Sequence, residues 1–133
     1  MYPLGDMLIQ LKNAQAVGHE KVLVPFSKIN LAVLSVLKDN NFIEGFDKKK
    51  RKSKRGKELN YIDIKLKYDS NLARINEVKF ISKPSRRYYA GKNDLKKIKD
   101  GYGISVVTTS RGVMSGSDAK KQGIGGEILF EIW

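Results

Sequence analysis

Residues 61–68 read Tyr61-Ile62-Asp63-Ile64-Lys65-Leu66-Lys67-Tyr68, and their alternation decides the fold class. Ile62, Ile64, Leu66 and Tyr68 fall on one side of an extended chain, and Asp63, Lys65 and Lys67 on the other. That pattern marks a strand with one buried and one wetted face. A sheet with one apolar face needs a cover, and two upstream segments supply it. Leu4, Met7, Leu8, Leu11 and Ala14 recur at helical spacing; Pro3 suits the first turn, Asp6 the positive end of the helix dipole, and Gly18 the stop. Ser27 is placed to cap a second helix whose apolar positions are Ile29, Val33, Val36 and Leu37, ended by Asn40-Asn41. Val22-Leu23-Val24, Phe42 to Phe46 and Ile75 to Ile81 read as further strands, the last with Val78 and Phe80 inward. The expected class is α+β, with two helices on one face of a small antiparallel or mixed sheet.

Between the strand at Phe46 and the alternating strand runs Lys48-Lys49-Lys50-Arg51-Lys52-Ser53-Lys54-Arg55-Gly56-Lys57, which carries eight cations. It reads as the loop of a long hairpin, residues 47–57, projecting into solvent or onto a polyanion. Runs of this kind are more often solvated loops than shaped sites, yet phosphate attraction without sequence preference holds either way.

Downstream, Ser82-Lys83-Pro84-Ser85 reads as a linker, because proline restricts the residue before it to extended geometry. This divides the chain into an N-terminal α+β domain, residues 1–81, and a mostly β C-terminal domain, residues 82–133, with short helices. The second domain contains a strand Arg86 to Tyr89, a turn at Gly91, a brief helix from Asn93 and an apolar strand Ile104 to Thr108. A turn Ser110-Arg111-Gly112, extended Val113-Met114, a short helix capped by Ser117 and ended by Gly123, and a closing strand with Ile128, Phe130 and Ile132 follow. At about 50 residues this part is marginal alone and is expected to pack against the first.

Composition narrows the function. The chain has 26 Lys and Arg against 14 Asp and Glu, a net charge of +12, and 41% hydrophobic residues, enough for a folded core. Excess cation points first to nucleic acid and second to an anionic membrane or acidic proteins, which a basic adaptor would bind. Residues 1–83 hold 17 bases and 9 acids, net +8, so without the basic run they are neutral. Absence of Cys removes disulfides, thiolate metal sites and thiol nucleophiles. No apolar run approaches the roughly 20 residues of a membrane helix. The start of the chain, with Pro3 and Asp6, does not read as a signal peptide.

An enzyme is not expected. The one histidine, His19, has no second ligand for a metal and reads as a surface residue, and no pair of carboxylates is singled out by spacing. Gly123-Ile124-Gly125-Gly126 precedes a strand, whereas a phosphate loop runs from a strand into a helix. No metal, cofactor or small-molecule substrate is implied.

What does carry chemistry is a cluster in the second domain. Thr108-Thr109-Ser110 puts three hydroxyls at a strand end, Arg111 adds a cation, and Gly112 opens the backbone to close approach. Tyr88 and Tyr89, of which alternation exposes at most one, are interleaved with Arg86, Arg87 and Lys92. Rings among cations suit unpaired nucleotides. Glu127, after Gly125-Gly126, either supports loop amides, accepts from a base amino group or pairs with Arg111. The chemistry favours RNA modestly over DNA, since no recognition helix for a major groove is evident.

These residues also resemble a known family. Thr108-Thr109-Ser110-Arg111-Gly112-Val113-Met114, then Ala119 and Gly125-Gly126-Glu127, resemble the C-terminal signature of small ribosomal subunit protein eight. The likeness extends to Asp6-Met7-Leu8 with Lys12-Asn13-Ala14, and to Ser82-Lys83-Pro84 through Arg87-Tyr88-Tyr89 and Gly91-Lys92. It implies a two-domain α+β protein of the cytoplasmic (or organellar) ribosome that binds the central domain of 16S ribosomal RNA, helps subunit assembly and touches neighbouring small-subunit proteins. Some bacterial members also repress their own operon through its messenger RNA. By the resemblance, Thr108, Thr109, Ser110, Arg111 and Gly112 meet the RNA, Tyr89 and Arg87 lie at the same surface and Glu127 supports the loop; Arg86, Lys92, Gly125 and Gly126 are further RNA-binding candidates. Lys12 and Asn13, and the basic-run residues Lys49, Lys50, Arg51 and Lys52, are weaker candidates. The chain departs from the family pattern at Ile9 and Gln10, where Thr and Arg are usual, at Ser85, usually glycine, and in the length and charge of residues 48–57.

Overall fold

The apolar spacings become two helices laid on a three-stranded sheet. The structure, a computed structural model, describes residues 3–69, 72–83, 85–91 and 103–133. The chain divides into two compact units, residues 1–74 and 75–133. In the first, helix α1 (Pro3–Ala16) buries Leu4, Met7, Leu8, Leu11 and Ala14, and Gln15 Nε2 donates to Lys67 O at 2.7 Å. Strand β1 (Lys21–Pro25) leads to helix α2 (Lys28–Asp39), which buries Val33, Leu34, Val36 and Leu37. Ser27 takes the extended cap position of α2, but its side chain makes no capping bond.

Strands β2 (Ile43–Lys52) and β3 (Glu58–Leu66) form the antiparallel hairpin, and the sheet order is β1-β3-β2. Ile62, Ile64 and Leu66 are buried as the alternation required, and Val22 and Val24 lie opposite Ile64 and Ile62. Tyr68 leaves this strand for a two-residue strand β4 (Tyr68–Asp69) paired with β5 (Leu72–Ala73). Its hydroxyl donates to His19 O at 2.5 Å, and burial, then the Glu20 carboxylate, raises its pKa above the ordinary phenol value.

The expected loop 47–57 is not a loop. Asp47 through Lys52 pair in unbroken register with Asp63 through Glu58, so the strands carry most of the basic run and only a tight turn remains. Lysine has modest strand propensity, but the cross-strand ladder and the turn chemistry override it.

The second unit gathers strands β6 (Val78–Phe80), β7 (Tyr89–Ala90), β8 (Ile104–Thr109), β9 (Gly112–Ser115) and β10 (Gly126–Ile132), with helix α3 (Gly116–Gln122). The sheet runs β6-β10-β8-β9, and β7 also pairs with β10, so β6 and β7 share one edge of it. Val78–Phe80, read from sequence with the first sheet, thus belongs to the second: Phe80 lies opposite Phe130 and Val78 opposite Ile132. The compact units accordingly meet at 74/75, ahead of the strand β6. Helix α3 is capped by Ser115, whose Oγ accepts from Asp118 N–H at 3.2 Å, and not by Ser117. It buries Ala119 against Val107, with Ala90, Met114, Ile124 and Ile128 around them. The helix expected from Asn93 lies outside the described residues. Among the described residues, no helix is long and apolar enough to cross a membrane.

Candidate nucleic-acid interface

Register decides which side chains share a face. In antiparallel pairs, residues directly opposite project to the same side. Tyr89 is opposite Glu127, Glu127 opposite Thr108, and Thr108 opposite Val113. These four form one row across the end of the sheet. The next row inward, Ile128, Val107 and Met114, carries the contacts with α3. Tyr89 and Thr108 therefore lie on the face away from α3, two strand spacings or roughly 10 Å apart.

At the end of β8 the chain reverses through Ser110 and Arg111, both exposed, and Gly112 closes the turn at φ +108°. A Cβ at Gly112 would meet nothing within 4 Å, so the glycine is needed for its backbone angle and leaves open space on its outer side.

The three hydroxyls are not equivalent. Thr109 Oγ1 donates to Gly112 O at 2.8 Å and accepts from Arg111 N–H at 3.1 Å, so it is committed to shaping the turn. Ser110 is exposed and its hydroxyl bonds nothing among the described residues; Thr108, half-buried, is likewise open. Arg111 reaches Gln122 Oε1 at 3.4 Å, on the end of α3.

The tyrosine strap differs from expectation. Tyr88 is 52% and Tyr89 71% exposed, so both rings face solvent. The strand β7 is only Tyr89–Ala90, at the sheet edge, so Tyr88 precedes it and is not bound by its alternation. The strap is held through its backbone instead. Ser82, 1% exposed, accepts Tyr88 N–H at 2.9 Å and donates to Tyr88 O at 3.4 Å, and Ile128 N–H donates to the same carbonyl at 2.9 Å. Sequence reading placed Ser82 in a linker and missed this role. A small hydroxyl between the apolar Phe80-Ile81 and a proline was the available signal.

Glu127 is also reassigned. It is 8% exposed and its Oε2 accepts from Arg87 Nη1 at 3.1 Å; Arg111 is not its partner. An acid between Tyr89 and Thr108 would repel phosphate, and this ion pair neutralises it while fixing Arg87. Gly125 and Gly126 serve the frame: a Cβ on Gly126 would sit 2.2 Å from Thr108 O, and one on Gly125 2.3 Å from Ala90 O. Only glycine lets β7, β10 and β8 close this tightly.

Arg86 is exposed, with its backbone bridged to Lys83 in both directions at 2.8 and 3.0 Å. Lys92 lies outside the described residues. Lys12 and Asn13 are on α1, and Lys49, Lys50, Arg51 and Lys52 on β2, all in the first unit. Among the described residues, no group of three His, Asp or Glu is placed to hold a metal ion.

The arrangement can therefore do three things at this end of the sheet. It offers ring faces for unpaired bases, an open hydroxyl pair at Thr108 and Ser110 for hydrogen bonding, and cations at Arg86 and Arg111 for phosphates. Comparison with known proteins points the same way. The family model described as ribosomal protein S8 matches residues 2–133. A small ribosomal subunit protein uS8 of Mycoplasma mobile is 40% identical over 131 residues, 98% of this chain and 95% of the relative. Proteins of the same name from Borreliella burgdorferi and Rhizorhabdus wittichii are 37% identical over 133 residues and 38% identical over 131, covering 97% and 96% of those relatives.

Proposed function

The chain belongs to the ribosomal protein S8 family, and from that premise we propose that it is a structural component of the small ribosomal subunit that binds the central domain of 16S ribosomal RNA and helps that domain assemble. Recognition lies in the second unit, at Thr108, Ser110, Arg111 and Gly112 with Tyr89 and Arg87; Lys12 and Asn13 are weaker contacts from α1. Its place is the ribosome of the cytoplasm or of an organelle, beside other small-subunit proteins, and it performs no catalysis.

The observation that carries this reading is the shape of the β8–β9 turn. A surface reversal made rigid by Thr109 presents an uncommitted hydroxyl at Ser110 and bare backbone at Gly112, next to two exposed rings held in place by buried Ser82. Phosphate contacts supply affinity, and contacts to unpaired bases supply discrimination.

Footprinting of 16S ribosomal RNA with the full chain tests it. Protection confined to an irregular helix of the central domain is expected; protection scattered over the molecule would overturn the proposal. Co-sedimentation with small subunits in moderate salt, set against pelleting with anionic liposomes, separates this reading from a membrane-binding adaptor. A messenger leader folded like the ribosomal site would compete for the same surface, so operon repression is tested by that competition.

A further inference from the structure

The β2–β3 hairpin outgrows the sheet it belongs to. β1 pairs with β3 only as far as Pro25 opposite Tyr61, with one more bond from Phe26 N–H to Asn60 O. Beyond that point, Arg51/Leu59, Lys52/Glu58 and the turn stand as a bare two-stranded ribbon, a projection of roughly 10 Å at 3.3 Å per residue. The turn is ordered by its own chemistry. Ser53 N–H donates to Lys57 O at 2.8 Å, Gly56 N–H to Ser53 O at 2.9 Å, and Lys57 N–H to Ser53 Oγ at 3.2 Å, with Gly56 at φ +78°. This is a three-residue hairpin turn with glycine in the left-handed position.

Charges at the base of the ribbon are satisfied: Lys49 pairs with Asp63 at 2.9 Å, and Lys48 lies 5.2 Å from the Phe26 ring centre. The distal cations make no ion pair among the described residues, and the register distributes them evenly. Lys50 and Lys52 lie on one face, opposite Asn60 and Glu58; Arg51 lies on the other, opposite Leu59, and Lys57 joins it across from Ser53. Lys54 and Arg55 occupy the apex, both exposed.

A plain explanation exists: lysines on an edge strand deter pairing with other chains. It accounts for β2, and for Lys57 where the far strand is bare as well, but not for the apex. Six cations against the single carboxylate of Glu58, on a ribbon of marginal intrinsic stability, repel one another until anions are brought between them. A flat polyanion reaches one face only. Residues 48–58 contain no aromatic ring to stack a base, so the contact is with backbone phosphate.

We propose that the hairpin tip is a wedge that enters a gap between two RNA phosphate backbones, Lys50 and Lys52 facing one wall and Arg51 and Lys57 the other. The proposal rests on the RNA reading above but uses a separate surface.

Because the chain has no cysteine, Arg55→Cys creates a unique attachment point for an iron chelate that cuts nearby RNA. Bound to a transcript of the 16S central domain, the labelled chain should cleave two separate backbone segments. In parallel, Lys50→Gln/Lys52→Gln and Arg51→Gln/Lys57→Gln should each flatten the salt dependence of binding by about 1.5 log units per log unit of salt. Cleavage of one segment, or a slope change in only one pair, overturns the wedge. Slopes unchanged in both pairs while the unsubstituted chain binds overturn any RNA role for the hairpin. Failure of the unsubstituted chain to bind the transcript overturns the earlier reading with it.

Discussion

The β2–β3 hairpin and the β8–β9 turn are both tight reversals between antiparallel strands, and they solve opposite problems. The hairpin concentrates six cations that make no ion pair among the described residues on a ribbon with little else to offer. The turn has one arginine, but almost every polar group around it is assigned a partner, and the hydroxyls left open stand beside exposed rings. In the function proposed above, charge density and recognition are separated along the chain. Cations alone attract any polyanion, whereas discrimination needs donors and acceptors held in fixed places.

The comparison can be broken most forcefully through the frame of the turn. Gly126→Ala drives a methyl into the Thr108 carbonyl, 2.2 Å away, and should destabilise the second unit by about 3 kcal/mol, read as a lower denaturation midpoint together with lost RNA binding. Ser82→Ala removes the partner of the Tyr88 N–H and should cost about 1 kcal/mol; affinity for the cognate RNA falls while the salt slope holds, as titrations at several salt concentrations would reveal. Ser110→Ala leaves the fold intact and should weaken the cognate complex by about 1 kcal/mol, roughly fivefold, with no loss on a regular RNA duplex. Smallest is Arg51→Gln, which should shift the salt slope of binding to the central-domain transcript by about 0.8 and leave the melting temperature unchanged.

Legibility followed the range of the interaction. Ile62, Ile64 and Leu66 announce their strand because burial repeats every second residue, and α1 and α2 do the same at helical spacing. The thread from Thr108 to Gly112 is legible because the turn's chemistry is local. Lys48 through Lys52 hid a strand because their partners, not their own propensities, extend the ladder. The destination of Val78–Phe80 depended on Phe130 and Ile132, some fifty positions away, with nothing in the segment itself to choose between two sheets. The three readings open for Glu127 did not include Arg87 for the same reason: Arg87 and Arg111 are both plausible by charge, and only the register of β7 on β10 selects Arg87. The commitment of Thr109 to the turn was within reach, since a hydroxyl two residues before an amide commonly accepts from it.

The most direct measurement is the ratio of affinities for the cognate 16S helix and a regular duplex, followed across salt for Ser110→Ala and for the hairpin variant Lys50→Gln/Lys52→Gln. Ser110→Ala should lower the ratio at every salt concentration, and the hairpin variant should preserve the ratio while flattening both salt curves. Equal lowering of the ratio by the two variants would contradict the separation of attraction from recognition.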